Sequence, residues 1–320
     1  MKQILLICAA MVLLGCAKKA PEQQANVPDA NQTAQPPVKE PKQPPAKPKV
    51  EPINAKATPG MEAASKAYEA GNYREAARLY TVELAAEEAK PAPSWVQLSY
   101  LYNQLGRALD NAGLYDKALE HHQKSLAIRL KQLGPEHLDV AQSYNNIGLV
   151  HHKRAEYNKA LEHHLKSLAI VLKQLGPEHP IASFNYNNIG LVHSERAEYN
   201  KALENYHKAL EIDVKRLGPE HPDVATSYIN IGSVHHVKGD YDKALENFQR
   251  ALGMRIKQLG LEHPDLALHY WWIGVTLKEK NDISKAKEFI GKSHTIFLKK
   301  LGPNHPDTKN AKAELDALKE

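Results

Sequence analysis

Seventeen histidines and two cysteines are the residues of this 320-residue chain best suited to chemistry. Imidazole titrates near neutral pH and is the commonest metal ligand, so clustered histidines could hold a cation or sense pH. Their spacing argues against a metal. Two histidines four apart on a helix share a face and chelate one ion, and that spacing is absent. Adjacent pairs such as His151-His152 and His163-His164 diverge by about 100° on a helix and cannot close on one ion. Two cysteines are too few for a disulfide scaffold or a Cys-rich zinc or iron–sulfur site. No Gly-x-Ser-x-Gly elbow, P-loop, dinucleotide fingerprint or paired-cysteine motif occurs. The sequence therefore reads as a protein without catalytic residues, metal or cofactor.

Among the segments that would carry these residues, the N-terminus is distinct. Lys2 precedes an apolar run from Ile4 to Leu14, too short to span a bilayer but suited to an export signal. The run ends in Leu13-Leu14-Gly15-Cys16, which resembles the lipobox of bacterial lipoproteins. The resemblance implies that residues 1–15 are removed and that Cys16 becomes a lipid-modified N-terminus. Ala17 rather than aspartate after the cysteine implies the periplasmic face of the outer membrane in a two-membrane cell. In other cells the extracytoplasmic face of the plasma membrane is implied. Residues 16–57 follow as an expected extended tether. Prolines recur at 21, 28, 36, 37, 41, 44, 45, 48 and 52, and aromatic residues are missing, so too little apolar surface exists to fold.

Residues 58–320 are one unit repeated. Leu133-Gly134-Pro135-Glu136-His137 recurs at 175–179 and 217–221, then as Leu259-Gly260-Leu261-Glu262-His263 and Leu301-Gly302-Pro303-Asn304-His305. Tyr144-Asn145-Asn146-Ile147-Gly148 keeps the same register at 186–190, and more loosely at 102–106, 228–232 and 270–274. Tyr157-Asn158-Lys159-Ala160-Leu161-Glu162 does so at 115–120, 199–204 and 241–246. Apolar residues inside the unit follow a helical period. Gly134 is placed to end one helix, and Pro135 forbids its continuation. Each unit predicts a helical hairpin that can bury its apolar stripes only against its neighbours, hence an all-α solenoid. Gly106, Gly148, Gly190, Gly232 and Gly274 are expected to face Ala118, Ala160, Ala202, Ala244 and Ala286, where larger side chains would part the helices.

This pattern resembles the tetratricopeptide repeat, in the 42-residue form of kinesin light chains. The resemblance implies a right-handed superhelix of about six units with a C-terminal capping helix. It also implies a peptide groove along the inner face of each unit's first helix. The matching positions that we single out are Asn103, Arg107, Gln142, Asn145, Asn146, His152, Lys153, Asn187, Asn188, Asn230, Trp271 and Trp272. Tyr100, Asp110, Leu149, Phe184, Leu191, Glu195, Thr226, Ser233, His236, Leu268 and Lys278 fall in the same register. An asparagine offers both donors and an acceptor, so a ladder of them can pair with an extended backbone of any sequence. Adjacent tryptophans are natural interface anchors. Joint replacement of Asn145, Asn146, Asn187 and Asn188 by alanine is expected to weaken partner capture and leave melting nearly unchanged.

The histidines sort by register. His137, His179, His221, His263 and His305 fall in the inter-unit loop, where a local structural role is expected. His122, His164, His151, His193 and His235 fall on the core stripe and are expected to be buried and hydrogen-bonded. His121, His152, His163 and His236 are the candidates for metal binding or pH sensing, but equivalents in neighbouring units lie about 8–10 Å apart, too far to share a metal. Charge completes the reading. The formal net charge is +5, of which Lys2 carries one and the tether three, with lysines 18, 19, 39, 42, 47, 49 and 56 against acids 22, 29, 40 and 51. Nearly neutral repeats exclude a nucleic-acid binder. The expectation is a lipid-anchored module that binds a protein or peptide partner and aids assembly of a bacterial envelope complex. A scaffold that self-associates through its convex face or its ends is the alternative, and a histidine-based metal binder a remote one.

Overall fold

The computed structural model describes residues 55–261 and 263–318, so the expected signal, Cys16 and the tether up to residue 54 lie outside the described residues. The described residues form thirteen helices and no strand. In chain order they are α1 (Pro59–Glu69), α2 (Tyr73–Glu88), α3 (Trp95–Asn111), α4 (Tyr115–Leu133) and α5 (Leu138–Lys153). Next come α6 (Tyr157–Leu175), α7 (Pro180–Glu195), α8 (Tyr199–Leu217) and α9 (Pro222–Val237). The series ends with α10 (Tyr241–Leu259), α11 (Leu266–Glu279), α12 (Ile283–Leu301) and α13 (Pro306–Ala317). Each helix packs on the next, giving six hairpins and a closing helix.

The repeated Leu-Gly-Pro-Glu-His element builds the joint between hairpins. Gly134, Gly176, Gly218, Gly260 and Gly302 end the second helices with φ between 77° and 87°, a region that a side chain would strain. The loop histidine then starts the next helix at four of these joints, and before α11 it stands two residues ahead of Asp265, which takes that place. Nδ1 of His137, His179, His221, His263 and His305 accepts the backbone N–H of the residue two further on, at 3.1–3.3 Å. These imidazoles do the work usually given to Ser or Asp at a helix start, satisfying a donor that has no intrahelical partner.

Within each hairpin the turn also needs a left-handed residue. Gly71, Gly113 and Gly239 supply it cheaply, whereas Ala155 and Ala197 adopt φ of 57° and Asn281 adopts 64°. The next residue closes the turn: Glu156 N–H donates to the His151 carbonyl, and Glu198 N–H to that of His193, both at 2.9 Å. The same pairs are joined by side chains, His151 Nδ1 to Glu156 at 2.8 Å and His193 Nδ1 to Glu198 at 2.7 Å. His235 and Asp240 repeat the contact at 3.2 Å. These three histidines staple turns; His151 and His193 are buried and hydrogen-bonded as expected, at 6 % and 8 % exposed, whereas His235 is half-buried.

The core between paired helices is built from three repeated positions. Ala118, Ala160, Ala202, Ala244 and Ala286 are fully buried. Leu105, Ile147, Ile189, Ile231 and Ile273 lie beside them, also buried. The third position corrects the expected glycine–alanine pairing. A Cβ on Gly106 or Gly148 would meet the ring of His122 or His164, and on Gly190 or Gly232 the ring of Tyr206 or Phe248, all within 2.9 Å. Ile290 takes that role over Gly274, the only one of the five whose near neighbours include its alanine, through the Ala286 carbonyl. A side chain lies over the turn N-terminal to its own Cα, so the residue four positions after the alanine covers the glycine. His122 and His164 are therefore core residues, each 1 % exposed. His164 Nδ1 lies 3.1 Å from Asn145 Oδ1, whereas Nδ1 of His122 has no partner, contrary to expectation.

Candidate functional site

The first helices α3, α5, α7, α9 and α11 touch their successors directly and form the inner row of the stack. They carry the expected asparagines, but much of that amide chemistry is turned between units. Asn146 Nδ2 donates to Asn103 Oδ1 at 2.8 Å, and Asn188 Nδ2 donates to Asn145 Oδ1 at 2.9 Å. Each rung joins one hairpin to the next. Asn103, Asn145 and Asn188 are at most 9 % exposed. They hold the solenoid together, which corrects the expectation that these side chains are all free for a ligand. Joint replacement of Asn145, Asn146, Asn187 and Asn188 would therefore lower the melting point as well.

The third rung is not closed by a bond. In the same register Asn187 offers Oδ1 and Asn230 offers Nδ2, and neither of these atoms has a partner. Asn188 Oδ1 beside them also lacks one, and Asn230 is 4 % exposed. Unpaired amides at this depth cost about 1–3 kcal/mol each. On the same two helices Phe184, Asn187 and Thr226 are half-buried.

Other expected residues separate into distinct places. Arg107 is half-buried, its guanidinium 5.0 Å from the centre of the Tyr68 ring and bonded to Gln104. Gln142 is exposed and accepts from Arg129, a buried residue that also donates to the Asp139 carbonyl and Ser143. Lys153 pairs with Asp110 of the preceding unit at 2.8 Å, where burial raises the aspartate's pKa against the lowering effect of the lysine. His152 is 8 % exposed, its Nε2 is unpaired, and burial pushes its pKa down to about 4. Trp271 and Trp272 do not line a groove. Trp272 is 1 % exposed and stacks on Phe248 at 5.3 Å, and Trp271 meets it edge-on at 5.2 Å.

Two features escape sequence reasoning. Tyr157, which begins α6, donates its hydroxyl to Glu195 at 3.4 Å, and burial raises the pKa of that carboxyl. The 43-residue offset between Lys153 and Asp110 is legible only once helix packing shows which faces meet. Among the described residues no three His, Cys, Asp or Glu side chains come together as a metal site. No described helix is long and apolar enough to cross a membrane.

No curated protein matches the sequence. Among solved structures, BtubC (BKLC) from P. vanneervenii is 21% identical, with a TM-score of 0.58 over 77% of this chain and 92% of that one. A putative kinesin light chain from Podosopora anserina with nearly identical TPR-like repeats is 22% identical, with a TM-score of 0.55, covering 63% and 96%. Pseudomonas aeruginosa pilF is 18% identical, with a TM-score of 0.51, covering 80% and 96%. These likenesses establish the fold. The tetratricopeptide repeat model matches residues 97–173, 145–213, 182–257 and 223–299 in overlapping, consecutive register. With six stacked hairpins, glycines under rings and a model match across most of the array, the chain belongs to the tetratricopeptide repeat family.

Proposed function

We propose that this chain is a lipid-anchored interaction module whose inner helix row binds an extended segment of a partner protein and supports assembly of a bacterial envelope complex. The observation that carries the binding reading is the open rung at Asn187 and Asn230. Two rungs of the ladder are closed by protein, and the third leaves an acceptor and a donor unpaired beside Phe184. A peptide backbone supplies the complementary N–H and carbonyl. The fold is one that typically serves as a non-catalytic interaction scaffold. The lipid anchor rests on Lys2, the apolar run and Leu13-Leu14-Gly15-Cys16.

The structure changes how the groove is tested. Asn187→Ala with Asn230→Ala removes amides whose facing atoms are unpaired. It is expected to cut recovery of crosslinked partner from native membranes about tenfold, with the melting point held. Asn145→Ala with Asn188→Ala breaks a closed rung and is expected to lower stability by about 1–3 kcal/mol. Unchanged recovery in the first variant, with concentration-dependent sedimentation of the chain, refutes the groove and supports self-association. The anchor has a separate test: Cys16→Ser is expected to abolish palmitate labelling and release the protein from membranes. Retained labelling refutes it.

A further inference from the structure

The inner face carries an ion-pair register that is filled once and then left open. Lys153 at the end of α5 bonds to Asp110 at the end of α3 at 2.8 Å, and both side chains are largely buried. One unit later the equivalent positions hold Glu195, at the end of α7, and His152, on α5. Asp110 has become His152 and Lys153 has become Glu195, so the charge on the later helix is inverted and its counter-ion is gone. Glu195 is half-buried, and among the described residues it contacts no cation, only the Tyr157 hydroxyl at 3.4 Å. Tyr157 in turn packs on the His152 ring at 5.9 Å. His152 is more than nine-tenths buried with Nε2 unpaired, and it is neutral at physiological pH, so it does not neutralise Glu195. Burial raises the Glu195 pKa, the direction expected of a carboxylate whose counter-charge is missing.

An unpaired carboxylate at a position built for an ion pair selects a cation. Glu195 stands on α7, the helix that carries Asn187, two turns along the same row. We propose that Glu195, with His152 and Tyr157 beside it, is a subsite for a lysine or arginine side chain of the extended segment bound along the open rung. This rests on the groove reading above. In this arrangement the ammonium or guanidinium donates to the Glu195 carboxylate, and neutral His152 presents Nε2 to a second N–H. The asparagines hold backbone of any sequence; Glu195 gives the groove a sequence preference.

The test uses the full chain and a cellulose-bound array of decapeptides. Flanks are mixed Ala, Ser, Thr and Val, and one central residue is fixed as Lys, Arg, norleucine or Glu. Lys and Arg centres are expected to retain about tenfold more protein than norleucine or Glu, the scale of one charge-assisted hydrogen bond. Glu195→Gln is expected to remove that preference. His152→Asp with Glu195→Lys copies the Lys153–Asp110 pair into this position. It is expected to remove the preference too, without lowering the melting point. A Lys and Arg preference that survives Glu195→Gln overturns the subsite. Equal retention on all centres, lost in the Asn187→Ala, Asn230→Ala chain, overturns the subsite and leaves the groove standing. No retention on any centre overturns both.

Discussion

Replacing His122 by phenylalanine and His164 by tyrosine is expected to stabilise the solenoid at pH 5 by about 2 kcal/mol each, and much less at pH 8. Both imidazoles pack against a glycine, in slots that later units fill with Tyr206 and Phe248. Burial is the main cause that lowers each pKa from 6.5 to about 3. The unfolded chain then binds protons that the folded chain does not, across the window from about pH 6.5 down to about pH 3. Stability is fully present above that window and falls as pH falls through it. Phenylalanine or tyrosine has nothing to protonate in that window, so the variant's melting point should fall less than the natural chain's, with His152, His163 and His269, held by burial at about 4, still drawing it down. His122 adds a second term, since its Nδ1 is buried without a partner. His164→Tyr leaves Asn145 its bond from Asn188. Thermal melts by circular dichroism from pH 8 to pH 5 check this. Equal declines in both proteins would mean that the buried imidazoles find protons or water in the folded state.

The second expectation sets two glycines against each other. Gly190→Val should cost about 3 kcal/mol, because a Cβ there would stand 2.7 Å from the Tyr206 ring and the two γ carbons have nowhere to go. Gly253→Ala should instead stabilise by about 1 kcal/mol, because nothing lies within 4 Å of a Cβ at this exposed interior position of α10. Helix propensity favours both changes, so only packing separates them. Chemical denaturation of the two single variants should give shifts of opposite sign.

Hairpin count, helix ends and the capping helix were legible because each depends on local chemistry repeated at a fixed interval. Gly134 before Pro135 ends a helix wherever it occurs, and the next histidine is short enough to reach forward to the N–H two residues on, at the new helix start. Contacts between units were harder. Asn145 and Asn146 look alike in sequence, yet one accepts from the following unit and the other donates to the preceding unit. Which of two neighbouring amides reaches across depends on how far adjacent hairpins are rotated, and no periodicity encodes that rotation. Trp271 and Trp272 mislead for a related reason. They occupy the register of Asn145 and Asn146, but a bulky ring beside Phe248 gains more from burial than from exposure in a groove. Glu195 stood in the expected register, while its missing counter-ion became visible only against the Lys153–Asp110 pair.

The left-handed alanines in two hairpin turns bear on how far this array can be cut into parts. Ala155 and Ala197 each take a conformation that costs roughly 1–2 kcal/mol more than at glycine. Stability in such arrays is a sum of unit and interface contributions, so α5–α6 and α7–α8 are the units that borrow most from their neighbours. An excerpt of those two hairpins alone would be a poor building block, while the glycine-turned hairpins on either side would tolerate transplantation better. The hairpins that carry the closed rungs and Glu195 are thus the least detachable modules of the chain.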